Sequence, residues 1–350
     1  MSNQHIIIKA PGDAQIEQVP APELKDDYIL VATRAVALNP SDWKHVDFMA
    51  SPGARVGCDY AGVIEAIGKG VTKKFTIGDR ITGPCYGANA MNHDTGSFGQ
   101  HIIVKGDVQI PIPHNLSFEE AATLGIGLTT AAQALYQNLG LPLPDSDTKA
   151  NFPILIYSGS TATGALAIQL AKLSGATVIS TCSPRNMQYV KAAGADIVLD
   201  YNSPTVGEDI KKAANGDLRY ALDCVSIEST SVICASAMSA SGGKLALLQP
   251  VPDEPLHRIN PDVATRMTIA YTVLGETIKA GPHEVPGQEQ DFQFGKKFWE
   301  LARSLLEQGK LKVHTPNVNP TGSGLQGVLK GLDCMRKGEV SGSKWVYTIP

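Results

Sequence analysis

Paired cysteines are missing from this chain. Its six cysteines, Cys58, Cys85, Cys182, Cys224, Cys234 and Cys334, are scattered, with no Cys-x-x-Cys pair. In 350 residues they read as reduced, mostly buried thiols rather than a disulfide framework. Excess positive charge is missing too. A net charge of −4 gives no electrostatic case for nucleic acid or an anionic membrane as partner. No apolar run approaches the roughly 20 residues of a membrane span. The start, Met1-Ser2-Asn3-Gln4-His5, has no basic segment leading into a long apolar core. No secretory signal is therefore expected, and cytosolic residence is the default. Internal repeats and low-complexity segments are absent as well.

What is present is the texture of a globular protein, 43% hydrophobic and 18% charged, long enough for two domains. Residues 1 to about 125 look β-rich: short runs such as Ile6-Ile7-Ile8, Tyr28-Ile29-Leu30-Val31-Ala32 and His101-Ile102-Ile103-Val104 sit between Pro, Gly and Asp clusters. Ser117 followed by Glu120 reads as a capped helix start. An Ala-rich helical connector runs over 125–139, and the Pro-broken stretch 141–147 is a surface loop. From Pro153 strands and helices alternate. Strands are expected at 154–158, 177–182, 197–199, 220–224 and 244–248, and helices near 164–174, 185–193, 205–214 and 229–239. That rhythm predicts an α/β fold with a doubly wound parallel sheet. The tail holds a helix over 292–308 and a strand over 344–349, which could join either domain.

Two constellations carry chemistry. In the first, Ile154-Leu155-Ile156-Tyr157 stops at Ser158-Gly159-Ser160-Thr161-Ala162-Thr163-Gly164, and a helical apolar pattern follows. Small residues let a backbone approach a ligand, and the new helix offers unpaired N–H groups to a phosphate. An ordinary strand-to-helix loop would look similar. About 20 residues on, where such a fold meets the adenosine ribose, stands Ser183-Pro184-Arg185-Asn186. It has no carboxylate for a ribose diol. Its hydroxyl, guanidinium and amide suit a 2′-phosphate, although Ser183 and Pro184 also suit a helix cap. Tyr201 could add a phenol or pack on the adenine. The second constellation is Asn39-Pro40-Ser41-Asp42-Trp43-Lys44, which taken alone reads most simply as a solvated turn.

That loop, with Gly57-Cys58-Asp59-Tyr60-Ala61-Gly62-Val63, Gly78-Asp79-Arg80 and Gly338-Glu339-Val340-Ser341-Gly342-Ser343-Lys344, resembles the medium-chain dehydrogenase/reductase superfamily, in its zinc-independent quinone-reductase-like branch. Gly159-Ser160-Thr161-Ala162-Thr163, Thr181-Cys182-Ser183-Pro184 with Asn186, Leu218 to Cys224 and Leu139-Gly140-Leu141-Pro142-Leu143-Pro144 resemble the fungal trans-acting enoyl reductases of polyketide synthases, of the lovastatin-pathway type. The resemblance implies a GroES-like β-rich catalytic domain over 1–135, completed by 300–350, and a Rossmann domain over 136–299. It implies NADPH, with Ser160, Thr161, Ala162 and Thr163 along the pyrophosphate. Ser183, Pro184, Arg185, Asn186 and Tyr201 would hold the adenosine end. Ser41, Asp42, Trp43, Lys44, Leu248, Gln249, Ser341 and Gly342 would complete the cofactor contacts. Most quinone-reductase-like members carry glycines where this chain has Thr161 and Ala162.

The same resemblance puts Lys44 and Thr130 at the catalytic positions. The stretch Thr130-Ala131-Ala132-Gln133-Ala134-Leu135-Tyr136-Gln137, with Leu274-Gly275-Glu276, would border the substrate channel. Metal is not expected. Asn39 stands where zinc-dependent members have Cys, Cys58-Asp59 where they have His-Glu, and only Cys85 lies in the region of their four-cysteine lobe. The implied activity is reduction, in secondary metabolism, of an α,β-unsaturated thioester held on the acyl carrier domain of a polyketide synthase or synthase–peptide synthetase hybrid. A general NADPH-dependent quinone or enal reductase and a non-catalytic NADPH-binding protein are the rival readings. A monomer is expected, because 273–290, near the presumed sheet edge, carries Gly275, Gly281, Pro282, Pro286 and Gly287.

Overall fold

The computed structural model describes residues 3–280 and 283–350; Gly281 and Pro282 fall outside the described residues. The chain divides into two compact units, 1–129 with 271–350, and 130–270.

The first unit is built around the strand Tyr28–Ala37, an almost unbroken apolar run buried on both faces. It pairs antiparallel with Asp59–Ile67 and His101–Lys105 along its length, and with the closing strand Lys344–Thr348 at its end, Val346 opposite Ala37. The tail strand therefore belongs to the β-rich unit. Ile29, Val31, Val36, Ile64, Ile102 and Tyr347 form its core at 0–1% exposure. The expected cap is present: Ser117 Oγ accepts from Glu120 N at 3.2 Å, and Glu120 returns a carboxylate oxygen to Ser117 N.

The helix Glu289–Glu307 also packs within this unit, against Gly106–Val108 and Ile110–Pro111. Its buried stripe, Phe298, Trp299, Ala302, Leu305 and Leu306, faces inward, and Trp299 Nε1 donates to Thr129 Oγ1 at 3.2 Å. From sequence alone residues up to 299 read as part of the other domain, because an amphipathic helix after an α/β stretch looks like one more helix of that stretch.

The second unit holds a six-stranded parallel sheet. Its spatial order is Ile197–Asp200, Thr177–Cys182, Pro153–Tyr157, Tyr220–Asp223, Gly243–Leu247, Val263–Met267. Numbered along the chain this is 3-2-1-4-5-6, so the order reverses beside Pro153–Tyr157, and a ligand crevice is expected outside the strand ends there. The sixth strand does not stand out in the sequence. Of its residues only Val263 is buried, because it forms an edge, so it lacks the Ile/Val run that betrays the inner strands. It also relocates the sheet edge. Residues 278–280 and 283–285 form a small hairpin in the other unit, so the Gly and Pro residues of 273–290 say nothing about pairing at this edge.

The connector is helical as expected, α over Gly125–Ala132 and π over Gln133–Leu139, and ends at Gly140 with φ 81°. No described helix is long and apolar enough to cross a membrane.

Candidate functional site

At the turn after Pro153–Tyr157 the backbone is held tightly. Ser158 adopts φ 61°, a left-handed conformation costly for a non-glycine residue. Two bonds from the neighbouring strand keep it there: Ser158 N donates to Thr181 Oγ1 at 3.0 Å, and Gly159 N to Thr181 O at 2.9 Å. Gly159 is obligatory, since a Cβ there would lie 2.1 Å from Ser180 Oγ. Thr161 caps the helix Ala162–Leu173: its Oγ1 accepts from Gly164 N at 3.0 Å and donates to Ser158 O at 2.9 Å. The first-turn N–H groups of Ala162 and Thr163 have no intrahelical acceptor and project from the positive end of the dipole. Ser160, Thr161, Ala162 and Thr163 are all partly exposed there. This arrangement fits a pyrophosphate.

After the strand Thr177–Cys182, Ser183 is buried at the start of the turn Pro184–Asn186, and Asn186 Nδ2 donates to Ser183 Oγ at 3.3 Å. Arg185 is exposed, and Tyr201, partly exposed, starts from a backbone bond to Cys182 O. The end of the fourth strand shows what sequence reasoning missed. Asp223, fully buried, accepts from Thr230 Oγ1 at 2.7 Å, Ser231 Oγ at 2.9 Å and Val225 N at 2.9 Å. This fixes Ser226 at φ 56°, and its Oγ accepts from Leu248 N at 2.7 Å while Gln249 Nε2 donates to Val225 O at 2.8 Å. The candidates Leu248 and Gln249 are thus positioned by Asp223 and Ser226. An Asp three residues before a Ser at a strand end is the available signal.

In the first unit the Asn39 stretch is a helix, Pro40–Phe48, and not a turn. Pro40 opens it. Asp42, at its third position, accepts from Asn39 N at 2.7 Å and is 1% exposed, so its carboxylate faces the interior rather than solvent. Burial pushes that carboxyl up to about 7. Ser41, Trp43 and Lys44 are partly exposed. Lys44 Nζ lies 5.8 Å from the Trp43 ring centroid, and burial lowers its ammonium pKa. Ser341 is exposed, and Gly342, at φ 64°, precedes the closing strand.

Beneath this helix sits a buried ion pair, Lys344 Nζ to Asp59 Oδ2 at 2.9 Å, with the two side chains 3% and 0% exposed. Lys344 Nζ also donates to Asn39 Oδ1, and Asp59 Oδ1 accepts from Ile126 N at 2.6 Å. Gly125 is required beside it, because a Cβ would meet Asp59 Oδ1 at 2.2 Å. Cys58 Sγ lies 3.3 Å from Tyr271 Oη, and burial raises its thiol pKa, which keeps it neutral. An ammonium therefore already lies between Asn39 and Asp59, and no group of three or more His, Cys, Asp or Glu side chains able to hold a metal occurs among the described residues. This donor set does not fit zinc.

Of the stretch proposed along the substrate, Ala131, Ala132, Ala134 and Leu135 are 0% exposed and Gln133 is 4%. Thr130, Tyr136 and Gln137 are partly exposed, and Tyr136 Oη lies 3.3 Å from Ser174 Oγ. Leu274 is buried, Gly275 has φ 69°, and Glu276 is engaged by Tyr28 Oη at 2.6 Å and Lys105 Nζ at 3.0 Å.

Two known families match in chain order: residues 25–114 fit the alcohol dehydrogenase GroES-like domain and 162–286 the zinc-binding dehydrogenase. The chain is 42% identical over 350 residues to the trans-enoyl reductase ACTTS2 of Alternaria alternata, covering 100% of this chain and 99% of that protein. It is 48% identical over 272 residues to the trans-enoyl reductase TOXD of Cochliobolus carbonum, covering 77% and 90%. The fold is similar to that of an alcohol dehydrogenase superfamily protein from Novosphingobium aromaticivorans, with TM-score 0.80 at 20% identity, covering 100% of each chain.

Proposed function

Because the chain belongs to the trans-enoyl reductases of the medium-chain dehydrogenase/reductase superfamily, we propose that it uses NADPH to reduce an α,β-unsaturated acyl thioester carried by a partner polyketide synthase. It is an oxidoreductase acting on a C=C bond, with a nicotinamide nucleotide as the class of cofactor. The observation that carries the reading is the full-length match to proteins named trans-enoyl reductases. NADPH is favoured over NADH because the ribose position offers Ser183, Arg185 and Asn186 and no carboxylate.

When bound, NADPH would supply a hydride for the β-carbon of the enoyl group. The residues of the chain handle binding, charge and the proton. The N–H groups of Ala162 and Thr163, with Ser160 and Thr161, hold the pyrophosphate. Ser183, Arg185, Asn186 and Tyr201 hold the adenosine phosphate. Leu248, Gln249, Ser341 and Gly342 border the other end. As negative charge develops on the thioester oxygen, the Lys44 ammonium stabilises it and passes a proton toward the α-carbon. The burial that lowers the Lys44 pKa makes it a better proton donor. Thr130 orients the thioester. No metal is needed as Lewis acid, and the donor set around Asn39, Cys58 and Asp59 suits none.

Lys44→Ser tests this directly. Turnover should fall roughly ten- to a thousandfold, the value of one electrostatic or proton-relay contribution. NADPH affinity should change far less, and Thr130→Val should give a smaller loss. A folded Lys44→Ser protein that binds NADPH and turns over at the parental rate would remove Lys44 from the mechanism.

A further inference from the structure

We propose that Asp59 and Lys344 are positioning residues for the reduction, acting through the helix that bears Lys44; this rests on the catalytic reading of Lys44. The pair joins four separate segments. Lys344 begins the closing strand, Asp59 begins the strand Asp59–Ile67, Asn39 caps the helix Pro40–Phe48, and Ile126 lies in the first turn of the helix Gly125–Ala132. One ammonium holds the Asn39 side chain and the Asp59 carboxylate together, and the other oxygen of that carboxylate receives Ile126 N–H.

A buried ion pair is a poor device for stability. The cost of desolvating two charges rivals their attraction, and an apolar or neutral replacement of both is often as stable. What it does supply is direction. The Asn39 backbone makes the first-turn bonds, its carbonyl accepting Asp42 N at 3.0 Å and its N–H meeting the Asp42 carboxylate, so holding its side chain through Lys344 fixes the residue from which the helix starts. Lys44 follows about one turn later. A shift of the cap moves the Lys44 ammonium with it, and catalysis is sensitive to displacements of about 1 Å. The same Asp59 carboxylate orients the start of the helix that carries Thr130 one turn further on. Gly125 is the accommodation that lets this carboxylate approach.

The test separates position from stability. Lys344→Met leaves a buried carboxylate without its cation and should lower the urea midpoint. Lys344→Met with Asp59→Asn removes both charges, keeps an acceptor for Ile126 N–H, and should restore the midpoint. Turnover should not be restored with it: kcat for an enoyl thioester should remain down about tenfold or more, with KM and NADPH affinity within about threefold. Amide exchange over 42–46 should be faster in the double variant than in the parent, without substrate present. A double variant with parental midpoint, parental kcat and parental exchange would overturn the proposal. Should the double variant not fold, Lys344→Arg, which retains the charge, decides: lowered kcat at unchanged KM supports positioning, and parental kcat refutes it. Lys44→Ser is measured alongside. Loss there with none in the pair variants sinks the positioning role alone; no loss in Lys44→Ser sinks the catalytic reading and the positioning role with it.

Discussion

Gly159→Ala puts the turn proposed to hold the nucleotide under test. The new methyl carbon would lie 2.1 Å from Ser180 Oγ, 2.6 Å from Ile168 Cδ1 and 3.3 Å from Ser180 Cβ. The Ile168 methyl can swing away. Ser180 Oγ cannot do so cheaply, because it is buried and donates to Ile156 O at 2.7 Å. Overpacking of this kind costs about 1–3 kcal/mol, and loss of the Ser180 bond adds about 1 kcal/mol. The expected destabilisation is therefore about 2–4 kcal/mol. Ser180→Ala alone should cost about 1 kcal/mol, since it gives up the bond without crowding. The double variant removes the clashing oxygen, so it should cost less than the sum of the two by about 1 kcal/mol or more. Urea unfolding measures all four corners of that cycle. Cofactor affinity should fall with Gly159→Ala and partly return in the double variant, because the turn carries the N–H groups proposed to hold the pyrophosphate. Additive stability losses, or parental stability in Gly159→Ala, would refute the packing argument.

Other outcomes follow from the same geometry. Arg185→Ala should weaken NADPH binding by about 1–3 kcal/mol and leave NADH nearly unaffected, and equal losses in a titration would refute the 2′-phosphate assignment. Acid should destabilise the fold through His45 and His314, which are 8% and 1% exposed and which burial pushes down to about 4. The folded state holds both neutral while the unfolded chain takes up protons below its ordinary histidine pKa of about 6.5. Stability is thus complete above that value and lost as pH falls toward about 4, by about 3 kcal/mol per histidine. His5, which burial lowers to about 3, adds to this acid loss, and Asp42, raised to about 7, opposes it. Urea midpoints should therefore fall less steeply across that range in His45→Gln with His314→Gln than in the parent, and an unchanged slope would contradict the assignment.

The parts of the fold legible in the sequence were those with strong local signals. The inner parallel strands are buried on both faces, so Ile154-Leu155-Ile156 and Val178-Ile179 stand out as apolar runs. Ser117 and Glu120 announced their helix by a capping pair. The edge strand Val263–Met267 did not stand out, because Ala264, Arg266 and Met267 face solvent. The stretch that forms the helix Pro40–Phe48 reads as a turn although a helix signal is present: Asn, then Pro at the first position and Asp at the third, is a helix start as much as a turn. The strand-to-helix turn at 158–164 and the turn Pro184–Asn186 are legible as local elements. What held them was not. Ser158 at positive φ, the Asp223 cluster and the Lys344–Asp59 pair depend on contacts between distant segments, and Lys344 and Asn39 are 305 residues apart. No local pattern encodes such a meeting.

The central claim is tested most directly by the oxidation of NADPH by the purified protein, followed by nicotinamide absorbance with three partners: an α,β-unsaturated acyl thioester on a carrier domain, a free quinone, and none. Turnover with the carrier-bound thioester, well above that with the quinone, is the predicted result. Turnover with the quinone and none with the thioester would contradict it.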